Sequence, residues 1–276
     1  MSTSISPDKL SASPKRPWLG YVLIGLAAGF LSGMFGIGGG ILIVPALVYV
    51  AKLDPKVASG TSLLAIVPVS LVGSISYAVG GNVSVWLALL LALGSVMGAP
   101  IGTRLLKIVS RRVLQSAFVV FLAVVIVSLF VVVPSRGTEL NLTAPMGLLV
   151  VLLGFVTGIL SGLLGIGGGV VIVPMLMLLF GVSDLLAKGS SLLMMIATGA
   201  SGTVSNMRNG NVDVPAAVCV GLAASVTTSL GALAATLVEP RTGSILFAGL
   251  LVVVGGRMLA DIVRGRRAER AGGAAA

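Results

Sequence analysis

An all-α polytopic membrane protein is the fold class that the sequence predicts, and three observations predict it. Of the 276 residues, 57% are hydrophobic and 9% are charged, and the mean hydropathy is +1.14. The apolar residues form continuous runs instead of the alternating pattern of a membrane barrel strand. The chain also contains an internal repeat. Because an ordinary soluble domain carries about 25% charged residues, this composition excludes a cytosolic enzyme, a nucleic-acid-binding domain and a disordered chain.

The internal repeat has a constant offset of 129 residues. The stretch GLAAGFLSGMFGIGGGILIVPAL at 25–47 aligns with GFVTGILSGLLGIGGGVVIVPML at 154–176, and 14 of the 23 positions are identical. The register continues without a gap, because GTSLL at 60–64 aligns with GSSLL at 189–193. Two long copies are typical of a transporter built from two halves, whereas a solenoid needs three or more short units.

Each half divides into five apolar segments. The predicted segments are 18–35, 41–51, 58–79, 83–106 and 112–133 in the first half, and 145–164, 170–180, 187–207, 213–236 and 243–260 in the second. The second segment of each half is short, since roughly 11 helical residues rise about 16 Å in a hydrocarbon core about 30 Å thick. It also contains Pro45 or Pro174. Such Gly/Pro-interrupted segments at matching places in two halves indicate a transport site, here in a broken or re-entrant helix pair.

The basic residues predict the orientation of the halves. If each half crosses the membrane an odd number of times, the halves are inverted, and 15 of the 18 Lys and Arg residues lie on the side of the N-terminus. If the crossings are even, the repeats are parallel and the division is 10 to 8. The positive-inside rule therefore favours inverted repeats with both tails in the cytoplasm. We expect a disordered tail at 1–17, transmembrane repeats at 18–136 and 137–262, and a basic tail at 263–276.

A run of three glycines predicts a helix break in each half. A glycine in a helix interior costs about 1 kcal/mol relative to alanine, and a break at membrane depth needs protein or a water-filled cavity around it. The amides exposed at the start of the next half-helix, together with the helix dipole, attract anions. Two breaks from inverted halves would face each other near the midplane. The predicted binding glycines are Gly36, Gly38, Gly39, Gly40, Gly165, Gly167, Gly168 and Gly169.

Close helix packing is the other use of glycine in a membrane. Gly29 and Gly33 are small residues four positions apart, as at helix–helix contacts, and their repeat counterparts share this spacing. We therefore interpret them as packing residues. On the sequence alone we expect alanine at Gly39 or Gly168 to cost transport more than alanine at Gly29.

Polar side chains recur at equivalent places beside the breaks and are candidate ligand donors. Any one of them is also able to bond a carbonyl of its own helix or of a neighbouring helix, so both interpretations stay open. The predicted donors are Ser32, Thr61, Ser62, Ser161, Ser190, Ser191 and Asn206.

The titratable inventory excludes several kinds of site. The chain has no histidine, and Cys219 is its one cysteine, so no metal ligand set and no cofactor are predicted. All eight acidic residues fall at segment ends, in loops or in tails, and no buried titratable group is expected. Lys188 and Arg208 are interpreted as interfacial anchors. The basic clusters at 104–112 and 264–270 are interpreted as topology determinants that touch anionic lipid.

The doubled motif GxxSGxxGIGGGxxxVPxL resembles the TauE/SafE sulfite exporter family, also called the TSUP transporters. It spans Gly29 to Leu47 and Gly158 to Leu176, and the likeness extends over nearly the whole chain. The resemblance implies a multi-pass transporter of the bacterial inner membrane for sulfite, an organosulfonate, or a related sulfur-containing or organic anion. The motif does not identify the substrate, and the transport direction, the coupling ion and the oligomeric state stay open.

The function predicted from these features is secondary transport of a small anion, by alternating access around a midplane site formed by the two GIGGG breaks. A passive anion channel is one alternative. A membrane-embedded enzyme is another, disfavoured by the missing histidine, the lone cysteine and the missing intramembrane acids. No catalytic residue is predicted, and the expected partners are the small anion and membrane lipid, without nucleic acid.

Overall fold

The computed structural model describes residues 17–131 and 144–273, which form ten helices. Most of the predicted tail at 1–17 and the junction at 132–143 lie outside the described residues. The helices are α1 (Trp18–Phe35), α2 (Gly40–Val50), α3 (Pro55–Val79), α4 (Val85–Ile108), α5 (Arg111–Val131), α6 (Ala144–Leu164), α7 (Gly169–Phe180), α8 (Asp184–Arg208), α9 (Val214–Leu237) and α10 (Pro240–Gly273).

Five of the described helices are long and apolar enough to cross a membrane: α1, α3, α4, α6 from Pro145, and α9. The helices α2 and α7 are apolar but shorter, with 11 and 12 residues. Each lies between longer helices, at the position predicted for the interrupted segment. The all-α, polytopic membrane architecture predicted from the sequence is confirmed.

Equivalent helices in the two halves begin at equivalent positions, because their N-cap residues are also 129 residues apart. Asp54 caps α3 and Ser183, at the equivalent position, caps α8, each accepting a hydrogen bond from a first-turn amide. Ser84 and Asp213 do the same for α4 and α9. A side-chain oxygen at the N-cap satisfies one of the amides that the first turn leaves without a partner. Local sequence therefore sets these boundaries at the same offset of 129 residues.

Glycines set how the two halves interlock. Helix α1 packs against α9, and helix α6 packs against α4. A Cβ atom at Gly29 would overlap the backbone of Ala224, and one at Gly158 would overlap the backbone of Ser95. These backbones touch because the positions carry no side chain, as in membrane helices that associate through small residues. The interpretation of these glycines as packing residues fits the structure.

The central helices α3 and α8 occupy equivalent places in the two halves and run antiparallel. Near the middle, Gly199 lies against Leu63 and Val67; further along, Gly73 lies against Leu192. The residue number rises along α3 as it falls along α8. Around this pair α3 also contacts α9 and α4 contacts α8, while α5 and α10 pack together.

The last helix continues past its apolar segment. The last apolar segment was expected to end at 260, and a basic tail was expected from 263, but α10 continues to Gly273. The residues at 261–273 include four Arg and two Ala, which have high helix propensity. The helix therefore extends beyond the apolar segment.

Candidate functional site

Each GIGGG break has the backbone conformation that only glycine adopts easily. Gly36 ends α1 with φ +69°, and its N–H donates to the carbonyl of Ser32 at 2.8 Å. Gly38 and Gly39 follow with φ +71° and +76°. In the left-handed region a residue with a Cβ costs about 1–2 kcal/mol. The second break repeats this pattern, with positive φ at Gly165, Gly167 and Gly168.

The structure brings the two breaks into contact. A Cβ atom at Gly40 would lie 2.6 Å from the Cα of Ile166, and one at Gly169 would lie 2.6 Å from the carbonyl oxygen of Gly36. Every residue of both breaks is buried. The predicted binding glycines therefore form one buried cluster between the halves.

Two equivalent apolar side chains lie against this cluster. Ile66 of α3 and Met195 of α8 are related by the repeat offset and are fully buried. A Cβ at Gly38 or at Gly167 would meet the sulfur of Met195, at 2.7 and 2.9 Å, with Ile66 close by in each case. Nothing in the sequence marked these residues, because apolar side chains in apolar segments give no local signal.

The short helices α2 and α7 begin with unpaired amides at this cluster. Gly39 and Gly168 are their N-caps, and glycine has no side chain to accept a hydrogen bond from the first-turn amides. Within the described residues, the amides of Gly40 and Ile41 donate to no protein acceptor, and the same holds at the start of α7. A helix N-terminus carries about half a positive elementary charge. The arrangement concentrates hydrogen-bond donors and partial positive charge without a fixed counter-charge.

Three of the predicted polar donors are buried without a partner. The hydroxyl groups of Ser32, Ser161 and Ser62 make no hydrogen bond within the described part of the chain. Ser32 and Ser161 occupy equivalent positions, one helical turn before Gly36 and Gly165. Because most buried polar side-chain atoms in native structures are paired, these hydroxyls have bonding capacity that the protein does not use.

The other predicted polar donors are engaged by the protein. Thr61 accepts a hydrogen bond from the amide of Asp213, and Ser190 accepts one from the amide of Ser84, both at 2.9 Å. Ser191 donates to the carbonyl of Gly36 at 2.6 Å. These bonds hold loops and the end of α1 in place.

Asn206 is buried and only partly satisfied. Its amide donates to the carbonyl of Gly202 at 3.0 Å, while its side-chain oxygen has no partner in the described part of the chain. The equivalent residue, Tyr77, is also buried, and its hydroxyl donates to the carbonyl of Gly33 at 2.8 Å. Sequence reasoning passed over Tyr77, although the repeat alignment pairs it with Asn206.

A buried ion pair lies beside the first break. The Nζ of Lys188 is 3.3 Å from Oδ2 of Asp184, and their side chains are 11% and 3% exposed. A Cβ at Gly36 would lie 2.6 Å from the Cα of Lys188. The interpretation of Lys188 as an interfacial anchor is therefore wrong, and so is the expectation that no titratable group is buried. The available signal was the spacing of four residues between an acid and a base on one helix.

Comparison with known proteins agrees with this architecture. The family model for the sulfite exporter TauE/SafE matches residues 2–129 and 150–276. A Bacillus subtilis protein described as "Probable membrane transporter protein YunE" is 28% identical over 264 residues, covering 86% of this chain and 96% of its own. A Haemophilus influenzae protein described as "Probable membrane transporter protein" is 33% identical over 84% of this chain and 94% of its own.

An archaeal relative extends the comparison. A Methanocaldococcus jannaschii protein of the same description is 26% identical over 86% of this chain and 94% of its own. No solved structure gives a significant match. The matched ranges together cover most of the chain, and the chain is a multi-pass membrane protein that belongs to the sulfite exporter TauE/SafE family.

Proposed function

We propose that this protein is a secondary transporter that carries a small anion by alternating access around the paired GIGGG breaks. The observation that carries the proposal is the meeting of two helix N-termini, with unpaired amides, in one buried cluster. Such N-termini are the sites that transporters built from inverted repeats present to anionic groups. Sulfite, an organosulfonate or a related small sulfur-containing or organic anion is the proposed substrate class.

The chemistry of the cluster favours an anion over a cation. Unpaired amides begin both short helices there, two unpaired serine hydroxyls lie one turn before the breaks, and the stem of Lys188 packs against Gly36. Its only buried acidic neighbour among the described residues, Asp184, is already paired with it. A bound metal cation would need a set of oxygen ligands with negative charge. The donors are mostly dipoles, so an anion is held loosely enough for release.

Burial favours a carrier over an open channel. No residue of either break is exposed, and Ile37 and Ile166 are fully buried. An anion reaches the cluster only if helices move, which is the requirement of alternating access. Counterflow in liposomes separates the two functions: a carrier exchanges labelled anion against unlabelled anion inside, and a channel does not accumulate it.

Uptake into proteoliposomes tests the substrate class. We expect saturable uptake of labelled sulfite, sulfoacetate or another small oxyanion, with competition among anions and none from sugars or metal cations. Saturable transport of a cation or a neutral solute without anion competition would contradict the proposal.

Removal of the two unpaired hydroxyls is expected to weaken anion binding without unfolding the protein. A hydrogen bond to a charged group contributes about 1.5–3 kcal/mol, so the double variant Ser32→Ala/Ser161→Ala should raise the KM of uptake about tenfold or more. Stability should change little, because neither hydroxyl has a protein partner in the described part of the chain. The matched control is Ser225→Ala, whose hydroxyl bonds the carbonyl of Gly221 in its own helix. An unchanged KM in the double variant would remove these serines from the site.

We further propose that the halves are inverted and that both tails are cytoplasmic. The antiparallel contact of the equivalent helices α3 and α8 supports this topology, because parallel repeats would keep equivalent helices in the same direction. Basic residues also gather at one end: the Nζ of Lys56 donates to the carbonyl of Lys107, and Arg208 lines a groove with Lys107. The positive-inside rule makes that end cytoplasmic.

Cysteine labelling tests the inverted topology at two equivalent loops. Gly81 and Gly210 both have positive φ, and at both positions the space that a Cβ would occupy is open. The variants Gly81→Cys and Gly210→Cys should therefore lose similar amounts of folding stability. In a Cys219→Ser background, an impermeant maleimide should label Gly81→Cys from outside the cell and Gly210→Cys only after permeabilisation. Labelling of both from one side would contradict the inverted arrangement.

A further inference from the structure

A cationic groove lies between the C-terminal halves of α4 and α8, away from the paired breaks. It encloses about 570 Å³. Three basic side chains line one end of it, Arg104, Lys107 and Arg208, and all three are exposed. Among the described residues none of them forms an ion pair. The groove therefore presents three uncompensated positive charges.

The wall of the groove changes from apolar to charged along the helices. Val96 and Pro100 of α4, and Ala197 and Val204 of α8, line the groove further from the helix ends, whereas the cations lie near those ends. Val96 and Val204 are 39% and 52% exposed, so they face lipid in a membrane. A ligand with an anionic head and apolar chains matches this gradient, and a free inorganic anion would leave the apolar wall unused.

Two side-chain hydrogen bonds connect α4 and α8 along the groove. Pro100 has no N–H and cannot bond the carbonyl of Val96, four residues earlier. The hydroxyl of Ser201 donates to that carbonyl at 3.0 Å and ties α8 to α4 at this point. Ser205 and Thr103 form a second hydroxyl contact between the two helices. The two walls are thus fixed relative to each other.

The positions equivalent to these three cations in the other half carry no charge. At the repeat offset, Arg104, Lys107 and Arg208 correspond to Leu233, Thr236 and Val79. Basic residues near a helix C-terminus complement the dipole, but α3 and α9 end without one. The cations therefore do not follow from the repeat, and they lie at the end that the positive-inside rule assigns to the cytoplasm, where the leaflet carries anionic headgroups.

We propose that this groove binds one phospholipid with an anionic headgroup. The phosphate lies against Arg104, Lys107 and Arg208, and an acyl chain follows Val96 and Val204 toward the middle of the membrane. Basic pockets between membrane helices are suited to such headgroups, and each cation near an anionic lipid surface contributes about a fivefold gain in affinity. The site lies apart from the proposed transport site.

Lipid titration of the detergent-purified full chain, followed by native mass spectrometry, tests the proposal. We expect phosphatidylglycerol to bind about a hundredfold more tightly than phosphatidylcholine with the same acyl chains. The variant Arg104→Gln/Lys107→Gln/Arg208→Gln should bind both lipids equally. Its elution profile and thermal unfolding should match the native chain, because the replaced side chains are exposed.

A control variant separates the groove from total charge. The control removes three positive charges that lie outside the groove, as Lys52→Gln/Arg241→Gln/Arg257→Gln. This variant should keep the preference for phosphatidylglycerol. Equal loss of preference in both triple variants would overturn the proposal, as would retention in the groove variant. Displacement of phosphatidylglycerol by equimolar glycerol phosphate would assign the groove to a free phosphate compound and would also overturn it.

Discussion

Gly29→Ala is expected to prevent stable folding, although it adds a single methyl group and favours the helical conformation by about 1 kcal/mol. A Cβ at Gly29 would overlap the carbonyl oxygen of Ala224, and that oxygen belongs to the backbone of α9. It moves only if the whole helix shifts. Overpacking of a rigid contact costs about 3 kcal/mol or more. We expect a lower unfolding temperature and a lower yield of monodisperse protein.

Two glycines act as controls for this result. Gly249 of α10 has nothing within 4 Å of a Cβ, so Gly249→Ala should keep or slightly raise the unfolding temperature. At Gly39 the closest backbone atom is the carbonyl oxygen of Ala28 at 3.0 Å, and φ is +76°. Gly39→Ala should lower the free energy of unfolding by about 1–2 kcal/mol. This variant should still fold, so anion uptake by it can be measured. Equal stability of Gly29→Ala and Gly249→Ala would contradict the close packing of α1 on α9.

Lys188→Met is expected to cost about 3–5 kcal/mol of stability, because it removes the cation that lies 3.3 Å from the buried carboxylate of Asp184. Replacement of both residues, as Lys188→Met/Asp184→Leu, removes the uncompensated charge and should recover most of that loss. Transport should not recover with it, because the cation beside Gly36 is still missing. Unfolding temperature and the KM of anion uptake, measured on both variants, separate the two effects.

The outcome of this pair of variants assigns the role of Lys188. A stable double variant with at least a tenfold raised KM supports a part for the cation in the transport site. A stable double variant with unchanged uptake would make the ion pair structural alone. Asp54→Ala is a useful control, since it removes an exposed N-cap carboxylate from α3 and should cost about 1 kcal/mol without changing the KM.

Local properties of the chain determined the helices. Predicted and observed boundaries differ by few residues in most segments, because apolar runs, capping residues and glycines act within one or two turns. Both GIGGG breaks were predicted from helix propensity alone, and positive φ occurs at three glycines in each. At the end of α10 the helix extends past the apolar segment, because helix propensity continues after the apolar run ends.

Tertiary structure decided which partner each polar residue bonds and which backbone each glycine contacts. Thr61 and Ser32 are both hydroxyl residues near a break, yet Thr61 accepts a loop amide from the other half and Ser32 has no partner in the described part of the chain. The expected cost of Gly39→Ala to transport stays a prediction, and the contact of the α9 backbone with Gly29 adds a cost to folding that the sequence did not indicate.

The sequence by itself determined the fold class, the repeat and the two breaks, since hydropathy, helix propensity and self-similarity are properties of the chain read in order. It predicted that the breaks face each other, but it did not determine which of their atoms touch, that Lys188 and Asp184 are buried together, or that Arg104, Lys107 and Arg208 line one groove. Those features depend on which residues of the other half lie opposite. Partners more than a hundred residues apart, such as Ser191 and Gly36, leave no local pattern, so only the packed helices reveal them.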